Sequence, residues 1–405
     1  MNKFVNAIAL DQPRKQKTSY KLFKYIAYFA LIDLLMLPYF PLLIMPYSLP
    51  IVLLGLLVFG RVKLIKFYSY YVVIVSLLIM MSFMTGALLG KSPEFLREDF
   101  LRMFQFLTTF LYFFYFYAVA KYLSTRVIKG IMLAGVLYIL LIAIEFIIDP
   151  WFLVTLREHL YKATAYQAED IVEHYRFTYI FSDPNTGGYF FVMLVLFILI
   201  YFNNNFLQRI LLLVSAIFVT ILVQSTGVAV SIALVVIFVI FKGFIRLNLR
   251  FIFKAVVLAI GLCITLLIFV HFTLNDIMLE VSRYFDMFMG RVVMDDRVET
   301  RLWKYSYAIN NFTTLFLWGQ GYTLLEPNGT IFRPHSDHIR LIYSYGVIVY
   351  AMSIYFFFRK IFQDRYLFLI PAFIAFSVNS LIDEQKLFGL FLVLMALTDR
   401  KQYIK

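Results

Sequence analysis

The sequence predicts an all-α, polytopic integral membrane protein with about 12 transmembrane helices, and three observations carry that prediction. Apolar residues make up 62% of the 405 and charged residues only 15%, where a soluble domain has about 45–50% and about 25%. The apolar residues fall in runs of roughly membrane length. Lys and Arg recur on alternate segments between those runs, as the positive-inside rule requires. A mean hydropathy of +0.82 agrees, and 19% aromatic residues suit spans and interfacial belts. The net charge of +13 is placed for topology and anionic lipid, not for nucleic acid.

Taken in order, residues 1–24 hold Lys3, Arg14, Lys15, Lys17, Lys21 and Lys24 and read as a cytoplasmic tail. They are polar and basic rather than an apolar signal segment, so no cleavable signal peptide is expected. Apolar runs follow at roughly 25–41, 43–60, 67–89, 100–120, 130–149, 187–202, 210–224, 227–241, 255–274, 339–358, 366–382 and 387–398. A crossing helix needs about 20 residues. Several runs are shorter, and the second and last read as crossing, re-entrant or tilted pieces.

With the N-terminus inside, the inner segments carry Arg61, Lys63 and Lys66; Lys121, Arg126 and Lys129; Arg209; Lys242, Arg246, Arg250 and Lys254; Arg359, Lys360 and Arg365; and Arg400, Lys401 and Lys405. The short outer segments lack such cations or balance them, as Glu94, Glu98 and Asp99 balance Lys91 and Arg97. Both termini are therefore expected in the cytoplasm, around one membrane domain spanning 1–405. Two outer segments are long, 150–185 and 275–338, each with helical pattern of its own. In the second, Arg297, Arg301 and Lys304 are spaced three or four apart, which makes one helix face cationic. There is no internal repeat of the kind many transporters carry.

The chemistry-bearing stretch is Gly290 to Gly346, with His335, His338, Arg291, Arg297, Arg301, Arg333 and Arg340. So many cations in one outer loop point to an anionic substrate. A neutral imidazole at His335 can take a proton from a hydroxyl, and nearby cations favour that neutral form. In the other loop, Asp183 caps a helix that Pro184 begins, and a helix N-terminus beside Arg176 is a ready anion site. Gln224-Ser225-Thr226-Gly227 reads as a plain outer hairpin. The single cysteine, Cys263, allows no intrachain disulfide. Asp295-Asp296 is an isolated acidic pair, so no metal and no cofactor are expected.

Arg176 with Asp183-Pro184-Asn185, then Arg301-Leu302-Trp303, Gly319-Gln320-Gly321, and His335-Ser336-Asp337 through Arg340 to Gly346 come in one order. That order resembles the O-antigen polymerase and O-antigen ligase superfamily, which includes the Wzy-type exopolysaccharide and capsule polymerases. The resemblance covers roughly Arg176 to Gly346. It implies a GT-C-like glycosyltransferase of the bacterial plasma membrane, with an undecaprenyl-diphosphate-linked oligosaccharide as donor and a lipid-linked repeat unit as acceptor. It implies membrane lipids, a flippase and a chain-length regulator as partners. Arg176 and Arg301 match the diphosphate-contacting arginines, with Arg297 competing for the second place. His335 matches the essential loop histidine and general base; Asp337 orients it, while Asp183 and Glu173 are rival bases. Asp183, Asn185, Asp337 and Arg340 complete the expected substrate-binding set. Ser336 stands where the family often has Asn, and Gln224-Ser225-Thr226-Gly227 lacks an arginine often found there. A ligase within the family and, outside it, a lipid-linked sugar flippase or anion transporter are the alternatives.

Overall fold

Where no water reaches the peptide groups of an apolar run, the helix satisfies them locally. The computed structural model, which describes residues 21–39, 45–59, 66–161, 171–172, 175–181, 183–245, 317–323 and 336–402, is all-α over those residues. Residues 21–36 form α1. There follow α2 (Ser48–Phe59), α3 (Lys66–Leu88), α4 (Pro93–Val119), α5 (Thr125–Ile148), α6 (Pro150–Tyr161), α7 (Pro184–Tyr201), α8 (Phe206–Val223), α9 (Thr226–Ile245), α10 (Asp337–Phe358), α11 (Leu369–Val378) and α12 (Gln385–Gln402). Helix starts follow local chemistry. Ser92 accepts the amide of Phe95 ahead of Pro93 at α4, and the Asn205 carbonyl oxygen accepts the amide of Gln208 at 2.8 Å to begin α8.

Among the described residues, six helices are long and apolar enough to cross a membrane: Tyr70–Leu88, Pro93–Tyr122, Thr125–Ile148, Pro184–Tyr201, Phe206–Val223 and Asp337–Phe358. The sequence suggested about twelve. The second and eleventh runs become α2 and α11, of 12 and 10 residues. At 1.5 Å per residue these cover about 18 and 15 Å, roughly half of a bilayer core. The run at 255–274 lies outside the described residues. The first long loop contains α6, in keeping with its helical pattern.

The surface is apolar where a soluble protein's is polar, over an interior that is apolar too. Val73, Leu77, Met80 and Met84 on α3 are exposed, as are Leu137, Leu141, Ile144 and Ile148 on α5 and Val230, Leu234 and Ile237 on α9. Their three- and four-residue spacing marks one helix face, which is what a lipid-facing stripe looks like. The centre is α12, buried at every residue from Leu387 to Leu397 and packed along α4. Phe388 stacks on Phe106 at 5.6 Å and meets Phe110 and Phe357 edge-on at 5.5 Å each.

One span is broken. At Gly346 α10 has φ 87° and ψ 163°, and the helix kinks. The Gly319-Gln320-Gly321 segment crosses this point. The amide of Gln320 donates to the Tyr343 carbonyl at 3.1 Å and that of Gly321 to the Ser344 carbonyl at 3.0 Å, so loop amides take carbonyls at the kink. A Cβ on Gly346 would run into the backbone of Leu317, and one on Gly319 into that of Ser344. Glycine is required by backbone-on-backbone contact at both places.

Candidate functional site

The break between α11 and α12, residues 379–383, organises the polar interior. Asn379 donates to the Thr186 hydroxyl at 3.2 Å, in the first turn of α7. Ser380 donates to Asp337 Oδ1 at 3.0 Å, and the amides of Leu381 and Ile382 donate to Asp337 Oδ2 at 2.6 and 3.1 Å. Asp337 is fully buried, and its carboxylate is spent on holding this segment against the start of α10. Asp383 then accepts from Arg340 Nη1 and, at 3.0 Å, from the Tyr322 hydroxyl. Arg340 also donates to Ser380 at 2.8 Å and stands 3.6 Å from Asp337.

The Tyr322 ring is within cation–π reach of two guanidiniums. Arg340 is 5.5 Å from its centroid and Arg102, from α4, is 5.3 Å away. Burial pushes the Tyr322 phenol well above its usual range; Asp383 adds to this, and Arg340 and Arg102 oppose it. Tyr322 is held from behind by the amide of Thr323, which donates to Asp99, itself paired to Lys91 at 2.6 Å. Burial lowers the Lys91 ammonium and Asp99 opposes that shift. Arg102, Gln105, Phe106, Tyr322, Tyr345 and Asp383, with Arg340 and Ile382, line a small polar cleft.

Arg176 forms a second corner. It is 5% exposed. Its Nε donates to the Val223 carbonyl at 3.4 Å, at the end of α8, and its Nη2 to Asn185 Oδ1 at 3.5 Å, in the first turn of α7. Asn185 in turn donates through its side chain to Asp183 at 3.0 Å, and Asp183 caps α7 by accepting the Asn185 amide at 3.2 Å. Gln224 is left-handed at φ 51° and donates to the Tyr175 carbonyl at 3.2 Å. The hairpin that read as plain therefore buttresses the Arg176 segment.

The structure thus brings Asp337 and Arg340 together at one corner, and Arg176, Asp183 and Asn185 at the other. Segment 379–383 touches both. His335, Arg297 and Arg301 lie outside the described residues, as does Glu173. His338 does not face the cleft's polar groups: its Nδ1 is 2.9 Å from the Tyr350 hydroxyl and its Nε2 2.9 Å from Ser377, with the ring edge-on to Phe376. Arg102, Tyr322 and Asp383 were not singled out from sequence. The available signal was the polar run Asn379 to Lys386 between two apolar runs. Asp33 and Glu145, the main candidates for ionisable groups deep in a span, each lie three residues before the end of their helix. Asp33 is met by the buried Lys386, whose ammonium donates to the carbonyls of Asp33 and Leu37 and so caps the end of α1. Among the described residues no group of three or more His, Cys, Asp and Glu side chains is placed to hold a metal ion.

No protein-family model matches the chain, and no curated protein matches it.

Proposed function

We propose that the chain is a polysaccharide polymerase that transfers a glycan from an undecaprenyl-diphosphate carrier onto the acceptor sugar of a lipid-linked repeat unit, outside the plasma membrane. The observation that carries this reading is the seam at residues 379–383, which ties the Arg176 corner to the Arg340 corner through Thr186 and Asp337. Arg176 and Arg340 belong to the motif order that resembles the polymerase superfamily. Arg340 lies in the first turn of α10, and Arg176 reaches Asn185 in the first turn of α7. The confinement of Asp33 and Glu145 to helix ends disfavours a transporter, which keeps ionisable groups near the midplane.

In this reading both termini face the cytoplasm and the two long loops lie outside. His335 takes the proton of the acceptor hydroxyl as its oxygen attacks the anomeric carbon of the donor. The bond from that carbon to the diphosphate oxygen breaks, and its electron pair leaves with the diphosphate. Arg176 and Arg301, or Arg297 in its place, stabilise the developing charge as planar forks. The reaction takes place beside a flippase that supplies the lipid-linked unit and a chain-length regulator. The test is the product formed by the purified chain from a lipid-linked repeat unit. A ladder spaced by one repeat supports polymerase. A single transfer to a foreign acceptor turns the reading to ligase, and movement of the lipid without transfer turns it to flippase.

A further inference from the structure

One contact shows how sharply α10 is bent. His338 and Tyr350 are twelve residues apart, which in a straight helix separates them by about 18 Å. Yet the imidazole Nδ1 is 2.9 Å from the Tyr350 hydroxyl, a gap that the two side chains cannot close along a straight axis. The break at Gly346 closes it. α10 is therefore two pieces, 337–345 and 347–358, folded toward each other about that glycine.

The longer piece is fixed against α3, where the Tyr71 hydroxyl is 3.1 Å from Ser353 and the Tyr71 ring stacks on Phe356 at 4.2 Å. The vertex is fixed by Ser82 and by the amides of Gln320 and Gly321, which take the carbonyls of Ser344 and Tyr343. The shorter piece carries Asp337 and Arg340, which grip segment 379–383. His338 lies between these two residues in sequence but points elsewhere, since neighbours one and two apart on a helix do not share a face. It reaches Tyr350 on the longer piece and, at 2.9 Å, Ser377 on α11, with its ring edge-on to Phe376 at 4.8 Å. One imidazole thus joins both pieces of α10 to α11. It does so eight residues from the vertex, about 12 Å along the axis, so a small rotation released there moves Arg340 as well.

The two ring nitrogens have different tasks. The Ser377 hydroxyl spends its proton on the Phe373 carbonyl at 2.8 Å. Nε2 then carries the ring proton and donates to Ser377, and Nδ1 accepts from the Tyr350 hydroxyl. We infer that His338 is a positioning residue: through its Nδ1 bond to Tyr350 it sets the angle of the shorter piece, and with it the places of Asp337 and Arg340. What those two residues serve rests on the glycan-transfer reading; that His338 places them does not.

The experiment follows amide hydrogen exchange of the full chain in nanodiscs, for wild type, His338→Ala, His338→Asn, His338→Gln and Tyr350→Phe. The Asn side-chain oxygen can stand in for Nδ1 and the Gln side-chain nitrogen for Nε2, so Asn keeps the bond to Tyr350 and Gln keeps the bond to Ser377. In His338→Ala and in Tyr350→Phe, exchange at the Leu381 and Ile382 amides, which Asp337 holds, is expected to rise about tenfold, the order of one lost hydrogen bond. His338→Asn should restore slow exchange and His338→Gln should not. The Asn185 amide, held by Asp183 at the start of α7, should not change in any variant. Tyr350→Phe removes a single oxygen, so it decides the matter if His338→Ala fails to fold. No rise at Leu381 and Ile382, an equal rise at Asn185, or rescue by Gln instead of Asn overturns the inference. Transfer from the lipid-linked repeat unit is measured on the same samples and should fall about tenfold in His338→Ala and return in His338→Asn; transfer that is unchanged beside faster exchange also overturns it. A wild type that transfers nothing, with the local rise and its rescue by Asn intact, keeps His338 as the residue that places Asp337 and Arg340 and removes the polymerase.

Discussion

The corners built around Arg176 and Arg102 use the same side chain to opposite ends. Arg176 is closed: its donors are directed to Val223 and Asn185, between the end of one helix and the start of another. Arg102 is open: its side chain is 32% exposed, its carboxylate partner is exposed too, and it lines the cleft. The closed arginine lies close to a cap-and-proline pattern that is legible in the sequence, and the open one does not. Motif membership and availability to a ligand are thus separate properties, set respectively by local sequence and by the packing of distant segments.

The largest effect belongs to the element that joins the two corners. Asp337→Ala removes the acceptor for the Leu381 and Ile382 amides and one of the carboxylates facing Arg340. A loss of about 3–5 kcal/mol is expected, as for any buried charge network stripped of one member. Thermal unfolding in detergent should show a strongly destabilised or unfolded protein. A melting point unchanged from wild type would mean that segment 379–383 is not held from α10.

Next in size is Gly346→Ala. A Cβ there meets the Leu317 backbone at a residue with φ 87°, and about 1–3 kcal/mol of strain is expected. The loop carrying Tyr322 should loosen, so proteolysis near residue 319 should rise more than proteolysis near Arg176. Equal rises at both corners would show that they are not separately anchored.

Arg176→Lys asks whether the closed corner is a pin or a ligand site. A point charge does not replace a fork, so polymer formed at equal expression should fall by about 10–100-fold, the order of one charge-assisted hydrogen bond. Wild-type polymer from Arg176→Ala would remove this residue from the site. The smallest effect is expected at the open corner: Glu98→Ala should shift stability by no more than about 1 kcal/mol, since the pair it breaks is exposed. A larger shift would mean that Arg102 is structural after all.

Much of the fold was readable because burial in lipid leaves a strong mark on composition. Eleven of the twelve apolar runs coincide with α1 to α5 and α7 to α12, and the remaining one, 255–274, lies outside the described residues. Span length was less readable: α11 stops at ten residues because Asn379 and Ser380 turn aside to bind Thr186 and Asp337, partners almost two hundred and about forty residues away. The start of α7 was legible, since cap and proline are local signals. The glycines of 319–321 were legible as a break, but not as the strap across the kink at Gly346. The open cleft was not legible at all. Its groups come from α4, from Tyr322 and from Asp383, and only packing brings them together.

The proposed glycan polymerisation, with His335 as the base, is tested by product length from purified wild type and His335→Ala, each given the lipid-linked repeat unit, with donor binding measured alongside. Wild type should extend a ladder by single repeats. His335→Ala should bind the donor as wild type does while turning over about 10²–10⁴-fold more slowly. A fully active His335→Ala protein, or a wild type that lengthens nothing, would contradict the account.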